Sequence, residues 1–250
     1  MRRVRAVIGR FRPVAALVVV LCAGCTTTVI GLPTAAALPS SAQAAASAGP
    51  CHYLPGDPAP PSKGFGLPAD PSPTPRAGTV VVTLQTSQGP IPLTLNRAQA
   101  PCTVQSFVFL AQRTFYDATP CHRLTTDAVL KVLQCGDPTG LGSGGPGYTI
   151  PDENPTDLTP APGVPVGSVI YPTGTVAMAN TGEPHSGGSQ FFLVYGDSEL
   201  SPSYAVFGTV SGAGLSTLDK IAAGGVTAAQ SPTDGRPNLP VTITKAVVAG

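Results

Sequence analysis

Apolar residues recur along this chain in short runs of β-branched and aliphatic character, separated by glycine and proline. Thr79 to Thr86 (TVVVTLQT) predicts a strand. Ser87-Gln88-Gly89-Pro90 then turns the chain into Ile91-Pro92-Leu93-Thr94-Leu95, a second strand that completes a hairpin. Val169 to Tyr171, Thr175 to Ala179, Gln190 to Tyr195, Ala205 to Val210 and Val241 to Val248 have the same short β-like character. Two segments instead carry a helical period. After Ala100-Pro101, where proline suits a first helical turn, Val104, Phe107, Val108 and Ala111 fall at i, i+3, i+4 and i+7. Leu215, Leu218, Ile221 and Ala222 mark a shorter helix near Leu215 to Ala222, stopped by Gly224-Gly225. Many strands, two helices and no regular strand-helix alternation predict a mainly β antiparallel barrel or sandwich.

Before Thr79 the pattern is of another kind. Arg2, Arg3, Arg5, Arg10 and Arg12, without an acid among them, precede an apolar run from Val14 to Leu21, which reads as an export signal. Gly24, Thr26 to Thr28, Gly31 and Pro33 interrupt that run before it reaches the roughly 20 apolar residues of a membrane span, so a signal is favoured over a permanent anchor. Leu21-Cys22-Ala23-Gly24-Cys25 resembles a bacterial lipobox with Cys25 as the lipidated residue, although Cys22 stands where a large aliphatic is usual. Ordinary cleavage near Ala42-Gln43-Ala44 is the competing reading. From residue 26 to residue 78 the chain is rich in Ala, Ser and Pro and reads as an extended spacer. Cys51, His52 and Tyr53 are its exception, because a cysteine there is of most use when tied to the folded part. The organisation is thus an export signal over 1–25, a spacer over 26–78 and a folded domain over 79–250. The expected location is the cell envelope, on the outer face of the cytoplasmic membrane through a lipid or an uncleaved signal, or the secreted state.

Composition narrows the partners. Only 11% of residues are charged and the formal net charge is +1, so no basic footprint for nucleic acid exists. Gly140-Leu141-Gly142-Ser143-Gly144-Gly145 satisfies G-x-G-x-x-G, but it follows Asp137-Pro138 and runs into Pro146, and so neither leaves a strand nor opens a helix. It reads as a flexible surface loop. Gly196-Asp197-Ser198-Glu199-Leu200 lacks the second glycine of a nucleophile elbow. With His52, His122 and His185 as the only histidines and no ligand spacing among them, no metal is expected. Nothing indicates a cofactor or an obligate oligomer, and a monomer is expected.

One constellation remains. Cys121-His122-Arg123-Leu124, Leu133-Gln134-Cys135-Gly136-Asp137, Met178-Ala179-Asn180-Thr181-Gly182, Ser189-Gln190-Phe191-Phe192 and Val206-Phe207-Gly208 occur in that order. Over about 79–250 the chain thereby resembles the cyclophilins, a family of peptidyl-prolyl cis/trans isomerases, and in particular their exported actinobacterial members. The resemblance implies a closed eight-stranded antiparallel barrel capped by two helices, with a peptide groove on its outer face. It implies isomerisation of X-Pro bonds in exported polypeptides. A proline-peptide-binding module or holdase with little turnover is the alternative.

The resemblance places Arg123 on the family's catalytic arginine, Gln134 on the glutamine beside it, and Asn180 on the asparagine whose backbone holds the peptide. Phe192 matches the floor of the proline pocket, and Ala179, Thr181, Gln190 and Gly142 match its rim, with Thr181 replacing the usual alanine. His122 joins the groove beside Arg123 in a structural capacity, since isomerisation needs no proton transfer. Between Arg123 and Gln134 lie ten residues, three more than usual, so the pocket residues of that segment are placed by strand parity. Parity selects Val132, with Leu130 on the same face. The chain has no tryptophan; Leu200 fits the leucine next to the missing indole, and Tyr204 stands where a histidine usually closes the pocket. Weakened cyclosporin binding is expected from these changes. Cys51, Cys102, Cys121 and Cys135 allow three disulfide pairings in an oxidising space. The resemblance sets Cys121 and Cys135 on neighbouring strands, which would leave Cys51 to Cys102.

Overall fold

The hairpin at Thr79 forms as the alternation requires, with β-branched side chains on a pleated surface and Ser87-Gln88 at its tip. The computed structural model describes residues 47–56, 65–163 and 167–250. The segment expected to be an export signal, with Cys25, lies outside the described residues. In chain order the first strands are β1 (Leu54–Pro55), β2 (Thr79–Thr86), β3 (Gly89–Asn96), β4 (Thr119–Pro120), β5 (Arg123–Thr125), β6 (Lys131–Cys135) and β7 (Tyr148–Thr149). They are followed by β8 (Val169–Tyr171), β9 (Thr175–Met178), β10 (Phe191–Gly196), β11 (Ser198–Leu200) and β12 (Val206–Val210). The last are β13 (Val226–Ser231), β14 (Asp234–Pro237) and β15 (Thr242–Val248). Helix α1 (Pro101–Gln112) follows β3, and α2 (Gly212–Ala223) follows β12.

Among the described residues, eleven strands form one antiparallel sheet in the order β13-β14-β5-β6-β10-β9-β12-β3-β2-β15-β4. The sheet is strongly curled, not the closed eight-stranded barrel expected from the sequence. Its two ends are β13 and β4, and β4 is joined to β5 through Cys121 and His122. There the chain changes partners: Cys121 N–H donates to Val241 O at 2.8 Å, and His122 N–H to Gln134 O at 3.1 Å. The β13–β14 hairpin, unmarked by any apolar alternation in Asp234-Gly235-Arg236-Pro237, extends the sheet past β5.

One face of the curled sheet is packed on α1. Leu124, Leu133, Phe191, Leu193, Val176 and Phe207 join Val104, Phe107 and Leu110 of the helix in a single buried cluster. Phe107 is its centre, with ring centroids 4.8 Å from Tyr116 and 5.2 Å from both Phe191 and Phe207. At the start of α1, Ala100 has no capping side chain. Glu153 supplies the cap from a distant loop, its carboxylate accepting from Cys102 N–H at 2.9 Å and from the Thr103 N–H and hydroxyl at 2.8 Å. A negative charge there meets the unsatisfied N–H groups and the positive end of the helix dipole. Helix α2 begins three residues earlier than its apolar period indicated, because Ser211 caps Gly214 N–H at 3.3 Å.

Part of the Pro-rich segment is folded onto this domain, through the Cys51–Tyr53 stretch set apart from the spacer in the sequence. Cys51 and Tyr53 are fully buried in the main cluster, and Tyr53 donates its hydroxyl to Cys102 O at 2.9 Å. Disulfides join Cys51 to Cys102 and Cys121 to Cys135. The Asp70 carboxylate accepts from the Ser47 hydroxyl at 2.6 Å and from the N–H groups of Cys51 and His52 at 3.0 Å. One covalent tie and one buried aromatic offset the ordering entropy that composition alone could not. No helix among the described residues is long and apolar enough to cross a membrane.

Candidate functional site

The other face of the curled sheet is built by period 2. Arg123 pairs with Gln134, Gln134 with Phe192, and Phe192 with Ala177 across four adjacent strands. Directly paired residues share a face, so this row stands opposite the row of Leu124, Leu133 and Leu193 that enters the core. Val132 and Val194 fall on the same face one pair further along. With Tyr171 and Phe192 they form a second, smaller buried cluster on which Leu130, Ala179, Leu200 and Tyr204 pack.

Arg123, Leu130, Val132, Gln134, Ala179, Asn180, Phe192, Leu200 and Tyr204 line one cavity of about 170 Å³. Phe192 is 5% exposed, and its ring is held edge-on by Tyr204 at 5.5 Å and tilted against Tyr171 at 6.2 Å. Tyr171 was not singled out in the sequence. Its hydroxyl donates to Ser201 O or Tyr204 O, both at 3.1 Å, and accepts from Tyr204 N–H at 3.2 Å, which fixes the loop that carries Tyr204.

Arg123 is gripped on two sides. Its Nε and Nη2 donate to the two carboxylate oxygens of Asp234 at 2.9 and 2.8 Å, and Nη1 donates to Gln134 Oε1 at 3.1 Å. Three of the five guanidinium N–H groups are thereby used, and two, one on each terminal nitrogen, have no partner among the described residues. Gln134 Nε2 donates onward to Gln190 Oε1 at 3.0 Å, and Gln190 Nε2 donates to Gly142 O at 3.0 Å and Gly144 O at 2.9 Å.

The glycine loop is therefore not the flexible loop expected of its composition. Buried Asp137 also accepts from Thr139 N–H at 2.7 Å, from the Thr139 hydroxyl at 2.8 Å and from Gly142 N–H at 2.6 Å. Burial opposes ionisation of Asp137, but these donors and Gly144 N–H overcome it and hold the carboxyl below its ordinary value. Gly140 and Gly142 have φ of +66° and +85°, and a Cβ on Gly144 would meet Asp137 at 2.0 Å, so glycine is required at the turn.

The loop walls a larger cavity of about 530 Å³, shared with Gln134, Ala179, Asn180, Thr181 and Gln190. Gln134, Ala179 and Asn180 line both cavities. The side chain of Asn180 is occupied, Nδ2 donating to Ser203 O at 2.8 Å and Oδ1 accepting from Gly182 N–H at 3.0 Å. Its backbone N–H and C=O have no hydrogen-bond partner among the described residues.

His122 departs from the expected set. It lines neither cavity, since strand parity turns it away from Arg123, and it packs beside Gly142 with Nδ1 buried and without a partner among the described residues. Burial, with Arg236 and Arg123 adding to it against the pull of Asp137, lowers its pKa from the ordinary 6.5. A group kept neutral in the folded state takes up fewer protons than in the unfolded one. Stability from this source is full above about pH 6.5 and is lost as pH falls through the lowered folded value. The drop in unfolding temperature between about pH 7.5 and pH 5.5 is expected to shrink in His122→Gln, as read by thermal unfolding at the two pH values; an unchanged drop would show that His122 is not the group involved.

A curled antiparallel sheet and two helices thus carry an outward row of arginine, glutamine and phenylalanine over an apolar slot. Residues 81–248 match the family model described as cyclophilin type peptidyl-prolyl cis-trans isomerase/CLD, and the chain belongs to that family. It is 50% identical over 200 residues to a probable peptidyl-prolyl cis-trans isomerase B of Mycobacterium leprae, covering 77% of this chain and 64% of the relative. To its namesake in Mycobacterium tuberculosis it is 51% identical over 183 residues, covering 73% of this chain and 56% of the relative. The chain thus spans less than two thirds of the length of these curated relatives. A crystal structure of a Cryptosporidium parvum cyclophilin type peptidyl-prolyl cis-trans isomerase superposes with a TM-score of 0.55 at 25% identity, covering 69% of this chain and 99% of that one.

Proposed function

We propose that this chain catalyses cis/trans isomerisation of X-Pro peptide bonds, in polypeptides that have crossed the cytoplasmic membrane. The observation that carries the reading is the shared cavity of Arg123 and Phe192, with two guanidinium N–H groups left uncommitted beside an apolar floor. Amide resonance gives the peptide bond a barrier of roughly 18–20 kcal/mol, and halfway through the rotation that resonance is lost. The prolyl nitrogen is then pyramidal and carries a localised lone pair. A donor held at that nitrogen binds the twisted state better than either planar isomer, and the barrier falls by the difference. No covalent bond is broken and no net proton moves.

Phe192, Val132, Leu130, Leu200 and Tyr204 would take the proline ring, and the backbone of Asn180 would pair with the residue before it. Gln134 would hold the guanidinium plane. The basic, apolar start of the chain supports action on exported polypeptides, and Cys25 as a lipid anchor belongs to the same proposal. Exchange spectroscopy on a short Ala-Pro peptide tests the activity. Catalysed exchange is expected; peptide binding without exchange would favour the holdase alternative.

The groove wall also bears on cyclosporin. The chain lacks tryptophan, and Tyr204 closes the slot with its ring against Phe192. Inhibition by cyclosporin is expected only at micromolar or higher concentration, and a nanomolar inhibition constant in the exchange assay would contradict this.

A further inference from the structure

The β13–β14 hairpin reaches the groove from the far end of the chain, and nothing in the reading of the groove so far requires it. It makes two contacts with the site. Asp234 closes the two-pronged pair with Arg123, and Arg236 donates from Nη2 to Gly140 O at 2.8 Å, at the head of the glycine loop. The hairpin is itself pinned beside β5, with Asp234 paired to Thr125, Gly235 to Leu124, and Thr126 N–H donating to Thr233 O at 2.8 Å. By that register Asp234 shares a face with Thr125, and Thr125 with Arg123.

We propose that Asp234 is a positioning residue for Arg123: it fixes the guanidinium plane so that the two remaining N–H groups face the slot over Phe192. The inference rests on the isomerase reading of the site. A guanidinium held only by Gln134 through Nη1 could still turn about its own long axis. Held through Nε and Nη2 as well, it keeps one orientation, and the flat fork of arginine matches the carboxylate in a way lysine could not. The pair has side-chain exposures of 35% and 19%, so solvent screens it and it adds little to stability. What it contributes is direction.

A carboxylate so close also draws positive charge away from the reacting nitrogen. The two effects differ in sign. If orientation governs, removing Asp234 slows exchange; if charge withdrawal governs, removing it speeds exchange.

Exchange spectroscopy with an Ala-Pro peptide on the full chain separates them, using wild type, Asp234→Ala, Asp234→Asn, Arg123→Ala and the Arg123→Ala/Asp234→Ala pair. Asp234→Ala is expected to lower the exchange rate about tenfold, with peptide affinity changed by less than about twofold. Asp234→Asn, which keeps one acceptor oxygen, is expected to recover part of the loss. In the Arg123→Ala background the second substitution is expected to change nothing further, as coupling through one side chain requires. An Asp234→Ala rate equal to or above wild type overturns the inference. So does a tenfold loss that persists without Arg123, which would mark a merely structural role. Asp234→Asn applies the same tests where the alanine variant does not fold. Wild type without exchange would instead overturn the isomerase reading, and this inference with it.

Discussion

Arg123→Ala is expected to slow catalysed cis/trans exchange by about 10²-fold, a loss typical for removing one preorganised donor from a charge-stabilising site. The substitution removes the group proposed to face the twisted imide nitrogen and leaves the slot of Phe192, Val132, Leu200 and Tyr204 intact. Arg123→Lys is expected to do little better. A lysine keeps the charge but cannot meet Asp234 through two nitrogens while also donating to Gln134, so the geometry now set by three hydrogen bonds would be lost. Stability is expected to change little in either variant, because the Arg123–Asp234 pair is partly exposed and the carboxylate can be solvated. Exchange spectroscopy and thermal unfolding on the same samples check both statements. A folded Arg123→Ala protein with wild-type exchange would remove the arginine from the mechanism.

The second large effect concerns folding. Joint replacement of Cys51 and Cys102 by alanine is expected to lower the unfolding free energy by about 4 kcal/mol, from the loop-closure entropy of a bridge between residues 51 apart in sequence. The bridge carries Tyr53 into the main cluster and holds β1 against β7. Without it, a segment poor in apolar residues has little else to offset its ordering entropy. Denaturant titration measures the change in midpoint; a midpoint equal to that of wild type would show that Tyr53 and the Asp70 contacts suffice alone. Exchange at the groove is expected to survive in the fraction that remains folded, since Arg123, Gln134 and Phe192 stand on β5, β6 and β10.

How much of this was legible in the residues differs by element. The β2–β3 hairpin and both helices follow from local periodicity, because one face of each is more buried than the other, whereas the central strands β9 and β10 are buried on both faces and read as short apolar runs. Parity also placed Val132 and Leu130 beside Gln134 in spite of the irregular spacing, since period 2 survives an insertion that is taken up in the preceding loop. What stayed hidden are contacts whose partners are far apart in sequence. Glu153 caps a helix that begins about fifty residues earlier, and Asp234 meets an arginine 111 residues before it. Neither sits in a periodic pattern that would mark it. His122 shows the opposite failure: adjacency to Arg123 in a motif suggested the groove, while the pleat turns adjacent side chains to opposite faces. The open ends of the sheet, β13 and β4, could not be read either, because where pairing stops depends on segments far apart in sequence.

The central claim is that an oriented guanidinium binds the half-rotated imide more strongly than either planar form. Titrating an Ala-Pro peptide into wild type and Arg123→Ala, with affinity and exchange rate read from the same spectra, tests it most directly. The account predicts that exchange falls about 10²-fold while affinity stays within about twofold, since the lost interaction belongs to the transition state alone. Affinity and exchange falling together would contradict it, because Arg123 would then hold ground state and twisted state alike.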